Sequence, residues 1–342
     1  MDPNVLLPLG SSLLSFVFFG FLIDQWRVRR RAYQLVWAIG MLWYALSAGT
    51  EFLGGAFGWG EPLYRVWYLI GAIWVAGWLG LGTLLLLGRT RFGFAIVPVL
   101  LLEALISLAG AKAYDNVGIA SPIYALTTIA LAIGVGILSF RRDERWALVL
   151  AAAIVAGSAV SALLMLTVSL PAPGYVVDPV THIPTGALFP GYLRLLTPLF
   201  NLTGAAALAG GAIFSAYIFM PKVRIIRWSL HRGQPVGSLI VNLLRAVVGF
   251  VVNLVASLPG AAVALVKGRL NSRVPATILI AIGGIIPAIT SGLNRFGNTS
   301  GFFVGEFLGV VFLFTGFLVS IEVFSEIRIP FTRRVLIRRS EA

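Results

Sequence analysis

Cysteine is absent from this chain of 342 residues. That excludes disulfides, thiolate metal sites and cysteine nucleophiles. Histidine is nearly absent: His182 falls in a proline-rich loop and His231 in a basic one, so the two cannot join in a haem or metal cluster. Asp178 stands four residues before His182, a weak hint of a metal pair, and no metal or cofactor is expected. There is no glycine-rich phosphate loop, no nucleophile elbow and no HExxH zinc motif. Charge is scarce as well, at 11% of residues against about 25% in soluble domains. Acids are scarcer than bases, 13 against 26.

What fills the chain instead is apolar: 58% of residues are hydrophobic. About 20 such residues cross a bilayer core as a helix. Nine runs qualify: 5–23, 33–53, 65–88, 92–111, 121–140, 146–168, 196–219, 275–293 and 301–325. Basic turns follow the odd-numbered spans, and Gly/Pro/Asn/Asp turns follow the even ones. Of the 26 Lys and Arg, 22 then fall on one side, with Arg65, Lys112, Arg194 and Arg295 on the other. Positive loops stay in the cytoplasm, so the N-terminus is expected outside and the C-terminus inside. The net charge of +13 is thereby explained without nucleic acid, and it attracts anionic lipid headgroups. The first run has no basic start and carries its Arg cluster after it, so it does not read as a cleavable signal peptide. The expected fold is an all-α polytopic membrane bundle, expected in the plasma membrane of a bacterium.

Residues 238–258 are apolar enough to span, but a crossing here would flip parity and put the final Arg pairs outside. Ser238, Asn242, Arg245, Gly249, Asn253 and Ser257 form one narrow polar stripe at helical spacing. The expectation is a helix in the cytoplasmic interface, ended by Pro259-Gly260, with a re-entrant hairpin as the alternative. Three regions follow: a seven-span core (1–220), a basic amphipathic segment (221–274) and a two-helix hairpin with a basic tail (275–342).

The core carries traces of duplication. Trp67–Ala72 sets against Phe200–Ala205 at an offset of 133, and Arg31, Ala45 and Ser47-Ala48 against Arg145, Ala159 and Ser161-Ala162 at 114. The 19-residue difference fits an insertion in the outer loop 171–190. Units 5–88 and 121–220 then repeat in parallel, linked by 92–111. This three-plus-one-plus-three layout resembles that of SWEET-type sugar transporters. The likeness is one of layout, since their proline-glutamine loop signature is absent, and it carries over no functional residues. Seven spans with an outside N-terminus also resemble rhodopsins, but the seventh has no internal lysine to hold retinal.

Glu103 lies near the middle of its span, where a charge costs at least about 2.5–3.5 kcal/mol, and Ser107 follows one turn on. One reading is a proton- or cation-linked site; the other is a protonated acid bonded to a neighbouring helix. Trp67, Gly71, Trp74 and Trp78 share a face of span 3, either a stacking wall for a solute or interhelical packing. Asn201 is the repeat counterpart of Tyr68. Glu51 with Arg65, and Arg295 with Glu306, are expected as structural ion pairs. Gly301, Gly305 and Gly309 form a small-residue stripe for a close partner, another helix or another copy. Pro98, Pro198 and Pro287 are expected to bend their helices.

The leading expectation is a small-solute transporter in which two three-helix units rock, with Glu103, Ser107, Trp67, Trp74, Tyr68 and Asn201 along the path. The runner-up is a non-catalytic subunit, scaffold or sensor of a larger complex. An intramembrane enzyme ranks third, because metal ligands and a nucleophile–base pair are lacking.

Overall fold

The computed structural model describes residues 3–179, 183–229, 236–294, 299–320, 326–328, 330–332 and 335–338. Ten long helices dominate them: α1 (Pro3–Arg29), α2 (Ala32–Phe57), α3 (Glu61–Leu86), α4 (Gly93–Ala113), α5 (Ala120–Phe140), α6 (Arg145–Thr167), α7 (Gly191–Phe219), α8 (Val236–Val266), α9 (Arg273–Asn294) and α10 (Thr299–Val319). A short antiparallel hairpin, β1 (Glu326–Arg328) and β2 (Val335–Arg338), follows. Nine of the helices are long and apolar enough to cross a membrane. In character the chain is a multi-pass helical membrane protein.

The apolar nine are not the nine runs expected. They include Arg245–Val266 of α8 and leave out α2. The reason is position. Trp37, Met41, Tyr44, Ala45 and Ala48 of α2 are all buried, together with the polar Gln34, Ser47, Thr50 and Glu51. A helix enclosed by protein needs no lipid-facing residues, so its composition is less apolar. It ends at Gly58, whose φ of 93° is open to a residue without Cβ.

The connections sort cleanly between two ends. At the basic end Arg89 pairs with Glu144 at 3.0 Å, and the Arg273 guanidinium sits 4.5 Å over the Phe219 ring. At the opposite end the Gly191 amide bonds the Asp115 carbonyl at 2.9 Å, and the Tyr64 hydroxyl bonds the Thr185 carbonyl. The contact between Phe219 and Arg273 means that the chain leaves α7 and enters α9 at one end. The segment between them, α8 included, therefore makes no net crossing.

The polar stripe of α8 turns out to hold its own chain. Asn253 Oδ1 accepts the amides of Ile225 (2.8 Å) and Ile226 (3.0 Å), its Nδ2 donates to the Ile226 carbonyl (2.8 Å), and Ser257 Oγ accepts the Val223 amide (2.9 Å). A Cβ on Gly249 would meet Trp228 at 2.8 Å. The segment from Lys222 to Trp228, bent at Ile225-Ile226, thus lies in the stripe with the amides of Val223, Ile225 and Ile226 satisfied. The helix does not stop at Pro259-Gly260 but runs through to Val266; a proline inside a helix removes one bond and bends it without having to end it.

α9 and α10 do not stand apart from the core. Ile280, Ala281, Val310, Leu313 and Phe317 share one buried cluster with Phe18, Leu22, Trp37, Met41 and Leu208. Phe18 stacks on Phe314 with ring centroids 4.7 Å apart. α10 ends at Val319, short of residue 325. The expected basic tail contains the β-hairpin, whose turn meets α1: Arg27 lies 4.9 Å over the Phe331 ring, and Asp24 accepts the Phe331 amide at 3.3 Å.

Candidate functional site

The centre of the bundle is the crossing of α3 and α7. A Cβ on Gly80 would lie 2.5 Å from the Gly204 carbonyl oxygen, and one on Gly204 would lie 2.3 Å from the Ala76 carbonyl group. The two backbones touch, as small residues permit. Each helix departs from α geometry here: Tyr68–Trp74 and Ala206–Gly210 are π-helical. π-segments are rare and gather at functional sites.

Of the residues expected along a solute path, Glu103 lies beside this crossing while Trp67 and Tyr68 lie about three turns away toward the opposite end, and each is hydrogen-bonded. Glu103, 2% exposed, accepts at Oε1 from both the Thr203 amide (2.9 Å) and the Thr203 hydroxyl (2.7 Å). Ser107 donates to the Glu103 carbonyl at 2.9 Å, and its own carbonyl accepts from Ser121 at 2.7 Å. Trp74 Nε1 donates to Ser161 Oγ (2.9 Å) and Trp78 Nε1 to Ser158 Oγ (3.1 Å). Asn201 Nδ2 donates to the Ala72 carbonyl at 3.1 Å, and Thr197 Oγ1 to the Tyr68 hydroxyl at 3.2 Å. Both of the last two bonds join residues 129 apart. The side-by-side register of α3 and α7 therefore differs from the offset of 133 read between their sequences. Asn201 lies against Ala72 rather than level with Tyr68.

The expected pair of Glu51 with Arg65 is not formed as such. Arg65 bonds Glu61 one turn back, at 2.8 Å through Nε, and caps the end of α6 through the Met165 and Val168 carbonyls. An i, i+4 partner on the same helix is closer than one across a hairpin. Glu51 instead accepts from Trp67 Nε1 at 3.0 Å, and its carboxyl faces that of Glu306. Arg295 lies outside the described residues, as does His182. The glycine stripe has its partner within the chain: Gly305 faces Thr290, and Gly309 faces Pro287 and the Gly283 carbonyl, all on α9. Pro98 and Pro287 lie inside α4 and α9.

Missed from the sequence were Thr203, Ser158 and Ser161, the acceptors and donors that complete these bonds. The serines, three apart on α6, match the tryptophans four apart on α3, a spacing signal that was legible. A cavity of about 40 Å³ opens toward the basic end between Trp37, Thr83, Gly211, Ser215, Arg273 and Thr277. It has room for a few waters and is far below the ~300–1,000 Å³ of ligand pockets. Comparison with protein-family models, with curated proteins and with solved structures finds no match.

Proposed function

We propose that the chain is a small-solute transporter or permease of the cell membrane, with its N-terminus outside and its C-terminus in the cytoplasm. The observation that carries this reading is the α3–α7 crossing. Two π-segments flank a backbone-to-backbone glycine contact there, and the two helices belong to different three-helix units. A contact without side chains offers a low-friction pivot, and π-segments supply backbone that can re-register. Units α1–α3 and α5–α7 then rock about it as parallel repeats, with α4 as linker. The concentration of Arg and Lys at one end sets the orientation. α8 lies in the cytoplasmic interface. Val247, Val248, Val251 and Val255 are exposed on it to enter the acyl boundary, and Arg245 and Lys267 face anionic headgroups.

A second reading, a non-catalytic subunit or scaffold, is favoured by the small cavity and by the complete hydrogen bonding of the expected path. The missing cysteines make the test direct. Ser107→Cys and Trp74→Cys are made singly, with exposed Lys112→Cys as control, and labelled in sealed vesicles by a membrane-impermeant thiol reagent. Labelling at both central positions supports transport. Silence at both while Lys112→Cys reacts replaces it with the subunit reading.

A further inference from the structure

We infer that Glu51 and Glu306 form a proton-binding site joining α2 to α10 in the half of the bundle opposite the basic end. The Tyr44 hydroxyl of α2 bonds the Glu306 backbone carbonyl of α10 at 2.9 Å, and the Glu51 and Glu306 carboxyls face each other between the two helices, close enough to interact directly. Ionised carboxylates only accept, so such a contact requires a proton between them. Two bare negative charges this close in an apolar interior would repel strongly.

The surroundings are built for this and remain incomplete. Trp67 Nε1 orients Glu51 at 3.0 Å, and the Tyr44 hydroxyl donates to the Glu306 backbone carbonyl at 2.9 Å. Glu51 is 6% exposed, yet Glu51 Oε2 and Glu306 Oε2 have no donor from the protein. The third wall is α1. Gly49 meets Ser12, Gly55 meets Val5, and Gly10 meets the Phe307 ring. These contacts put Glu51 and Glu306 level with residues 9 and 10 of α1. Ser11 lies two turns before Phe18 on the same helix face, and Phe18 stacks on α10, so Ser11 is directed at α10 beside Glu306. Ser11 and Ser15 are both fully buried, and both hydroxyls are without a protein partner. Here buried oxygens are left open around one carboxyl pair, and native proteins rarely leave such groups orphaned.

Tyr44 is the further titratable group facing the pair, and among the described residues no basic side chain pairs with either acid. The inference stands whether or not the chain moves a solute.

Infrared spectroscopy of the protein in lipid vesicles reads the site through the C=O stretch of a protonated carboxyl and its shift in deuterium oxide. The measurement is made in a Glu103→Gln background, which removes the buried acid of α4, while Asp24, also buried, is common to every variant. The expected result is a band of one carboxyl per chain that is lost reversibly as pH is raised. Glu51→Gln and Glu306→Gln each abolish its pH response, and Glu306→Asp, which keeps a carboxyl, retains a shifted one. A spectrum unchanged by either Gln substitution overturns the site. Loss of the band on adding sodium at constant pH overturns it in favour of a metal cation. Loss of the pH response in Arg295→Gln overturns it in favour of an ion pair.

Discussion

Thr203 directs both its backbone N–H and its hydroxyl at a single oxygen of Glu103. The bond ties α4 to the middle of α7, one residue from the glycine at the helix crossing. Glu103→Gln keeps an acceptor oxygen and is expected to change thermal unfolding little. Glu103→Ala strands two buried donors, and a loss of about 1–3 kcal/mol is expected. Unfolding of the two variants in detergent checks the difference.

The crossing itself has no spare volume. Gly204→Ala forces a methyl into the Ala76 backbone, and overpacking of this kind costs about 1–3 kcal/mol or more. Gly134→Ala is the control, because nothing lies within 4 Å of a Cβ there; on exposed helix it should be neutral or slightly stabilising. If the two behave alike, the backbone contact is not a stability determinant.

The tryptophan–serine bonds lend themselves to a double-mutant cycle. Trp74→Phe and Ser161→Ala each remove one side of the 2.9 Å bond. Their coupling should be about 0.6 kcal/mol and no more than ~1.7, as for other interhelical bonds in membranes. The Trp43–Trp74 ring contact at 4.9 Å is kept in part by phenylalanine, so a coupling of zero would show that the indole N–H contributes nothing.

Asn253 makes three bonds to the extended segment after α7. Asn253→Leu keeps the volume and removes all three. Trypsin should then cut at Arg224 and Arg227 at least several-fold faster, because their segment loses its hold on α8. An unchanged cleavage rate would mean that the Ser257 and Trp228 contacts suffice.

Much of the architecture was legible without coordinates. Apolar run length places helices because a bilayer sets their length, and the contacts among the described connections fall at two ends, with Arg89 and Arg273 at one of them. The stripe on α8 was visible as periodicity, but its role was not. A narrow polar face serves water and a docked backbone equally well, and only the segment running from Lys222 to Trp228 decides between them. α2 was found by length, although its enclosed position leaves it too polar for an apolarity criterion.

Side-chain partners belong to the tertiary structure. Glu51 ends the second apolar run and Arg65 begins the third at the same surface, and that placement suggested a pair. Folding instead brings α10, some 250 residues away, against α2 and sets one acid beside another. Composition and charge pattern alone determine that this chain is a helical membrane bundle with a basic end, because lipid and loop charge act on segments one at a time. Which buried polar group meets which is decided by helix rotation and register. Those depend on the packing of α1, α2, α3 and α10 together, and no single segment encodes them.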